Sequence, residues 1–289
     1  MAAPGWPAQQ IEEESEMVEE NVFAGRTALV TGGGSGIGKA ITAALLERGS
    51  NVVVLEVSPE NAKSAADELD GGDRLTFVEG SVSVRADVEE AFQVAAERYG
   101  TVHHLVNNAG TASLSLIRDC SDEEWDLVVD TLLKGTFLCT RSFARQAIEA
   151  GEGGTIVNIS SLNAVAATDG LGHYCAAKAG VMQFTQVTAG ELGRHGIRAN
   201  AIGPGTVNTP LGAGFTVGRI GQEFLDRTLI APPRHQEASD IADVALFLMS
   251  PAAQRITGHF IPVDGGQHVR GLHSYWDVAA AQGLVTRPE

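Results

Sequence analysis

The sequence predicts a single doubly wound α/β domain, a parallel sheet flanked by helices on both faces. From Arg26 onward, short β-branched runs alternate with longer amphipathic stretches, and glycine is frequent, 34 of 289 residues, as many tight strand-to-helix turns require. Parallel neighbours need a crossover of a dozen or more residues, and helical crossovers build right-handed βαβ units. No internal repeat and no low-complexity linker follows residue 23, which favours one domain over two.

Taken in order, residues 1–22 carry Glu12, Glu13, Glu14, Glu16, Glu19 and Glu20 without a Lys or Arg, beside Pro4 and Pro7. Such a run cannot build a core and is expected to be a solvated, disordered tail. It also lacks the basic start and apolar centre of a signal peptide. The strand candidates are TALVT (27–31), NVVVLEV (51–57), HLVNNAG (104–110), TIVNIS (155–160), IRANAI (197–202) and HFIPV (259–263). Between them, residues 38–49, 86–100 and 177–196 have helical amphipathic patterns. The domain is expected to span 23–267, with 268–289 trailing as an extension that carries Tyr275 and Trp276.

Hydrophobic residues at 44% and charged residues at 19% are ordinary for a soluble globular chain. A net charge of −16 argues against nucleic acid or an anionic membrane as partner. No apolar run approaches the roughly 18 residues of a membrane span. Cys120, Cys139 and Cys175 are scattered without metal-ligand spacing and read as small core residues in a reducing compartment. The expectation is a cytoplasmic protein without a metal.

TGGGSGIG (31–38) directly follows the first strand and opens a helix. It fits TGxxxGxG, with Gly32, Gly36 and Gly38 at the glycine positions. Glycines there let backbone N–H groups approach a pyrophosphate at a helix N-terminus. A glycine cluster alone marks any tight turn; the strand before it and the helix after it sharpen the reading. Glu56 ends the second strand, about twenty residues on, where an acid accepts hydrogen bonds from a ribose diol and repels a 2′-phosphate. By itself it reads as readily as a solvated strand-end carboxylate. No arginine stands in the loop, where Ser35 sits, or after Glu56, where Val57 sits, so the pair points to NAD rather than NADP.

HYCAAK (173–178) places a phenol four residues ahead of a lysine. On a helix Tyr174 and Lys178 share a face, with Cβ atoms about 5–6 Å apart. A cation that close favours the phenolate and suits the tyrosine to exchange a proton with an alcohol. An isolated YxxxK is more often a surface phenol beside a solvated lysine, so the rest of the chain decides.

With both motifs in place, residues 23–267 resemble the short-chain dehydrogenase/reductase family, whose fold is Rossmann-type. NNAG (107–110), NISS (158–161), PGTVNTP (204–210) and ITGHFIPVDGG (256–266) follow in family order and spacing. The resemblance implies that Tyr174 is the general acid/base, that Lys178 tunes it and holds the nicotinamide ribose, and that Ser161 hydrogen-bonds the substrate oxygen. It implies cofactor contacts from Gly32, Gly34, Ser35, Gly36, Ile37, Gly38, Glu56, Ser81, Val82, Asn108, Ala109, Gly110, Tyr174, Lys178, Pro204, Gly205, Val207 and Thr209. It also implies a homo-oligomer, a tetramer or dimer.

Departures from the family pattern are Leu132, where the family has an asparagine thought to hold a relay water, with Asp130 or Thr131 as substitutes; Ser81, where an aspartate is common; and His103, where an acid is common and a structural role is expected. The leading function is an NAD-dependent dehydrogenase of secondary alcohols. Phe215, Val217, Ile220, Phe224, Leu225, Leu229 and Ile230 suggest a largely apolar or cyclic substrate. The alternatives are a 3-oxoacyl carrier-protein reductase, disfavoured by Glu56 and the acidic charge, and a catalytically weak NAD-binding or scaffold protein.

Overall fold

The computed structural model describes residues 22–213 and 234–270, together with Ala280 and Gly283. The predicted tail apart from Val22, the apolar segment from Phe215 to Ile230, and Tyr275 and Trp276 lie outside the described residues.

The strands are β1 (Thr27–Thr31), β2 (Asn51–Glu56), β3 (Leu75–Glu79), β4 (Val102–Asn107), β5 (Gly154–Ile159), β6 (Ile197–Pro204), β7 (Val207–Asn208), β8 (Gln236–Glu237) and β9 (Phe260–Val263). Seven of them form one parallel sheet in the order β3-β2-β1-β4-β5-β6-β9, and β7 pairs with β8 apart from it. The main helices are α1 (Gly36–Glu47), α2 (Pro59–Glu68), α3 (Arg85–Tyr99), α4 (Asp122–Val129), α5 (Gly135–Ala150), α6 (Gly172–Leu192) and α7 (Ala238–Met249). A short helix, α8 (Gln267–Arg270), follows β9.

Strand β2 shows why the sheet is covered on both sides. Val52 and Val54 pack with Ile41 and Leu45 of α1 and with Ile241 and Ala245 of α7. Val53 and Leu55 face the other way, onto Phe92 of α3 and Leu138 and Phe143 of α5. A strand buried on both faces reads as an unbroken apolar run, and NVVVLE does.

Several sequence expectations need correction. Strand β3 was absent from the candidates because LTFVE is a sheet-edge strand with only Thr76 and Val78 buried, so its apolar signal is thin. Strand β4 covers Val102–Asn107 rather than 104–110. Its chain leaves the ladder at Asn108, whose N–H is donated to the Thr31 Oγ1 at 3.0 Å instead of to a strand carbonyl. Helix α6 begins at Gly172, before its apolar period starts at Ala177, because its first turn is held by tertiary contacts. Cys139 is a core residue, but Cys120 and Cys175 are only half-buried.

His103 is structural, as expected: its Nδ1 accepts the Thr27 N–H at 3.0 Å, and its Nε2 lies 3.3 Å from Glu152. Among the described residues, no helix is long and apolar enough to cross a membrane.

Candidate active site

Strand β1 has β2 on one side and β4 on the other, so the chain reverses its winding there. At such a switch point the loops beyond the strand ends separate and leave a crevice. A cavity of about 780 Å³ opens at this place, lined from the glycine loop, the ends of β2, β4, β5 and β6, and the start of α6.

The glycine loop is shaped by backbone demands. Gly32 has φ 62° and Gly36 φ 50°, left-handed conformations that disfavour side chains. A Cβ on Gly38 would collide with the Gly32 carbonyl and the Asn108 amide, so only glycine lets α1 begin this close to the loop. Asn108 donates its side-chain N–H groups to the Thr31 and Gly32 carbonyls, each at 3.0 Å. The Thr31 hydroxyl accepts from the Asn108 and Ala109 N–H groups in turn. Thr31 was not singled out for a role, though its place before the glycines was a usable signal.

Glu56 is 4% exposed and lines the cavity. Its Oε2 accepts the Gly34 N–H at 3.1 Å and its Oε1 accepts the Ser58 N–H at 3.1 Å. Each carboxylate oxygen keeps acceptor capacity for a further donor. Gly34 donates its N–H to Glu56 and Gly38 lets α1 approach the loop, while Gly32, Ser35, Gly36 and Ile37 line the cavity. Ser81, Val82, Asn108, Ala109, Gly110, Pro204, Gly205, Val207 and Thr209 line it too. Behind position 81, Asp87 accepts the Ser81 N–H at 2.7 Å and holds the turn that carries it. Thr209 stands against Gly36 and caps the Gly212 N–H at 3.0 Å, which places its side chain over the glycine loop.

Ser161, Tyr174 and Lys178 meet on the same cavity wall. Lys178 Nζ lies 5.6 Å from the Tyr174 ring centroid and donates to the Ile159 carbonyl at 2.8 Å. Lys178 is only 5% exposed, and burial pulls its ammonium down to about 8. The Ser160 hydroxyl donates to the Lys178 carbonyl at 2.9 Å and ties α6 to the end of β5. Ser161 caps a short turn: its Oγ accepts the Asn163 N–H at 3.1 Å and donates to the Asn163 Oδ1 at 3.3 Å.

Between α4 and α5 the helix widens into one π turn, Asp130–Lys134, and Leu132 sits on it. Leu132 is 2% exposed, packed with Val128 and Ala177 and against Tyr174. Asp130 is engaged on the solvent side, its carboxylate 2.7 Å from Lys134 Nζ, while Thr131 lines the cavity. Leu132 therefore packs beside the phenol and also lines the cavity. Leu132→Asn is expected to lower stability by about 1–3 kcal/mol through an unpaired buried amide, with no gain in kcat. Paired denaturation and turnover measurements check this; a faster variant would mean that a polar group is wanted here.

One more pair emerges that the motifs did not assign: Ser113 Oγ lies 2.8 Å from His173 Nε2, beside the cavity. His173 was visible next to Tyr174, but its partner is far away in sequence.

A family model described as enoyl-(acyl carrier protein) reductase matches residues 32–268. The chain is 37% identical over 248 residues to the D-threitol dehydrogenase of Mycolicibacterium smegmatis, covering 85% of this chain and 94% of the relative. It is 35% identical over 245 residues to the NAD-dependent glycerol dehydrogenase of Listeria innocua, with 85% and 94% covered. It is 36% identical over 248 residues to a 3-oxoacyl-[acyl-carrier-protein] reductase of Chlamydia muridarum, with 85% and 98% covered. Among solved structures, a short-chain type dehydrogenase/reductase from Mycobacterium ulcerans superposes with TM-score 0.84 at 32% identity, covering 90% of this chain and 95% of that one. The chain belongs to the short-chain dehydrogenase/reductase family and is an oxidoreductase that uses a nicotinamide cofactor.

Proposed function

We propose that the protein is an NAD-dependent dehydrogenase of secondary alcohols with Tyr174 as its general acid/base. The observation that carries the reading is the buried Lys178 ammonium beside the Tyr174 ring, on a cavity wall shared with Ser161. The ammonium favours the deprotonated phenol, which takes the proton of the alcohol during oxidation and returns it during reduction. Ser161 turns its hydroxyl from Asn163 to the substrate oxygen and holds it as charge develops there. The bound nicotinamide supplies the hydride acceptor.

The residues present fit such a cofactor. Helix α1 presents its N-terminus through the glycine loop, suited to a pyrophosphate, and Thr209 stands over that loop. Glu56, held by two backbone N–H groups, keeps acceptor capacity that suits the hydroxyls of an adenosine ribose. A 2′-phosphate would meet that carboxylate charge to charge, at a cost of about 2–3 kcal/mol or roughly a hundredfold. Two of the relatives are named for oxidising small polyols, and one of those as NAD-dependent, which supports the direction and the cofactor.

The test is kcat/KM with NAD and with NADP over a panel of secondary alcohols. NAD is expected to win about a hundredfold, and Glu56→Ala to narrow the gap by improving NADP. Comparable use of NADP, with a 3-oxoacyl thioester as the better substrate, would favour the reductase reading instead.

A homo-oligomer would be built through α5 and α6. Phe137 and Val187 are exposed there, and Phe137 packs edge-on against Phe184 with centroids 6.3 Å apart.

A further inference from the structure

Ser113 lies in the segment after β4 and lines the cavity. Its hydroxyl is 2.8 Å from Nε2 of His173, the residue before Tyr174. The same segment is tied a second time to the approach of α6: the Ser115 N–H donates to the Gly170 carbonyl at 2.9 Å, and Ser115 bridges Leu171. The Ser113 side chain is thus held in register with the helix turn that carries the phenol.

His173 is 1% exposed, and its Nδ1 is enclosed without a hydrogen-bond partner. Burial holds the imidazole below its usual range, opposed by the charge of Glu124, so the ring is neutral near pH 7 and carries one N–H. On Nδ1 that hydrogen would be a buried donor with no acceptor, the rarer defect in folded proteins. On Nε2 it is donated to the Ser113 oxygen, and only a lone pair is left unmet. In that tautomer the Ser113 hydroxyl proton is not consumed by His173 and is available to the cavity.

We propose that His173 fixes Ser113 as a hydrogen-bond donor to a second oxygen of the substrate, so that the site prefers vicinal diols and polyols to simple secondary alcohols. This rests on the reading of the site as an alcohol dehydrogenase and names the substrate class within it. Ser113 is the specificity-determining group; His173 is a positioning residue.

The experiment compares kcat/KM for 2,3-butanediol and 2-butanol at saturating NAD, which differ by one hydroxyl on the same carbon skeleton. The wild type is expected to favour the diol by about tenfold, because the half-buried Ser113 hydroxyl finds a second oxygen only in the diol. Ser113→Ala brings the ratio close to one, mainly through KM for the diol. His173→Phe does the same, and His173→Gln, which keeps an N–H at a similar reach, restores part of the preference, an outcome that a packing role alone would not produce. The NADH Kd of each variant checks that the fold is intact. Should the buried histidine variants not fold, Ser113→Ala decides alone.

A wild-type ratio near one overturns the inference while leaving the dehydrogenase reading in place. So does a Ser113→Ala variant that keeps the ratio or loses both substrates equally. A wild type that oxidises neither alcohol with NAD overturns the dehydrogenase reading, and the inference falls with it.

Discussion

Tyr174→Phe is expected to lower kcat by about 10²–10⁴-fold while NADH binding stays within a small factor. The substitution removes one oxygen, the atom assigned to carry the proton, and keeps the ring. That ring packs against the apolar cluster of Val128, Leu132 and Ala177, so the local wall of the cavity survives. Loss of turnover with an unchanged cofactor Kd therefore isolates proton transfer from binding. Single-turnover rates and NADH titration measure the two separately, and a variant with more than a few per cent of wild-type kcat would remove Tyr174 from the role.

Lys178→Met is expected to abolish turnover and yet make the protein more stable at neutral pH. Lys178 is buried, and its ammonium is pulled from 10.5 down to about 8 by loss of solvent. A folded value below the unfolded one means that the native state disfavours the bound proton. The cost is fully present below pH 8 and is relieved as pH rises from about 8 to 10.5, so this group's contribution to stability improves across that window. At neutral pH the cost is on the order of 1–3 kcal/mol, partly offset by the bond to the Ile159 carbonyl. Methionine fills similar space without a charge. The variant should gain a few degrees in Tm at pH 7, with the gain shrinking toward pH 10. A less stable variant, with a difference that does not change with pH, would show that the lysine is a structural contact and carries no functional strain.

Local pattern sufficed for much of the fold. TALVT coincides with β1, and NVVVLEV overshoots β2 by one residue, because strands buried on both faces are apolar without interruption. It failed for β3, half-exposed at the sheet edge, and for the first turn of α6, which begins before its apolar period. Of the candidate site, the glycines and the Tyr174–Lys178 pair were legible as short-range motifs, and Glu56 from its fixed place at the end of the next strand.

By itself, then, the sequence determined the parallel α/β class, the glycine loop and the phenol–lysine pair, all of which are written in local periodicity and spacing. The tertiary structure alone decided what those groups meet. It set Glu56 against the Gly34 and Ser58 N–H groups, put Asn108 to work stitching the glycine loop, and closed Leu132 into the packing beside Tyr174. It also brought Ser113 to His173, although the two are far apart along the chain. Such contacts arise from the order of strands in the sheet and from which loops that order gathers at the β1–β4 crevice. Burial is likewise a property of the assembled fold: a lysine four residues after a tyrosine becomes a strained, desolvated cation only when β5 and α6 close around it.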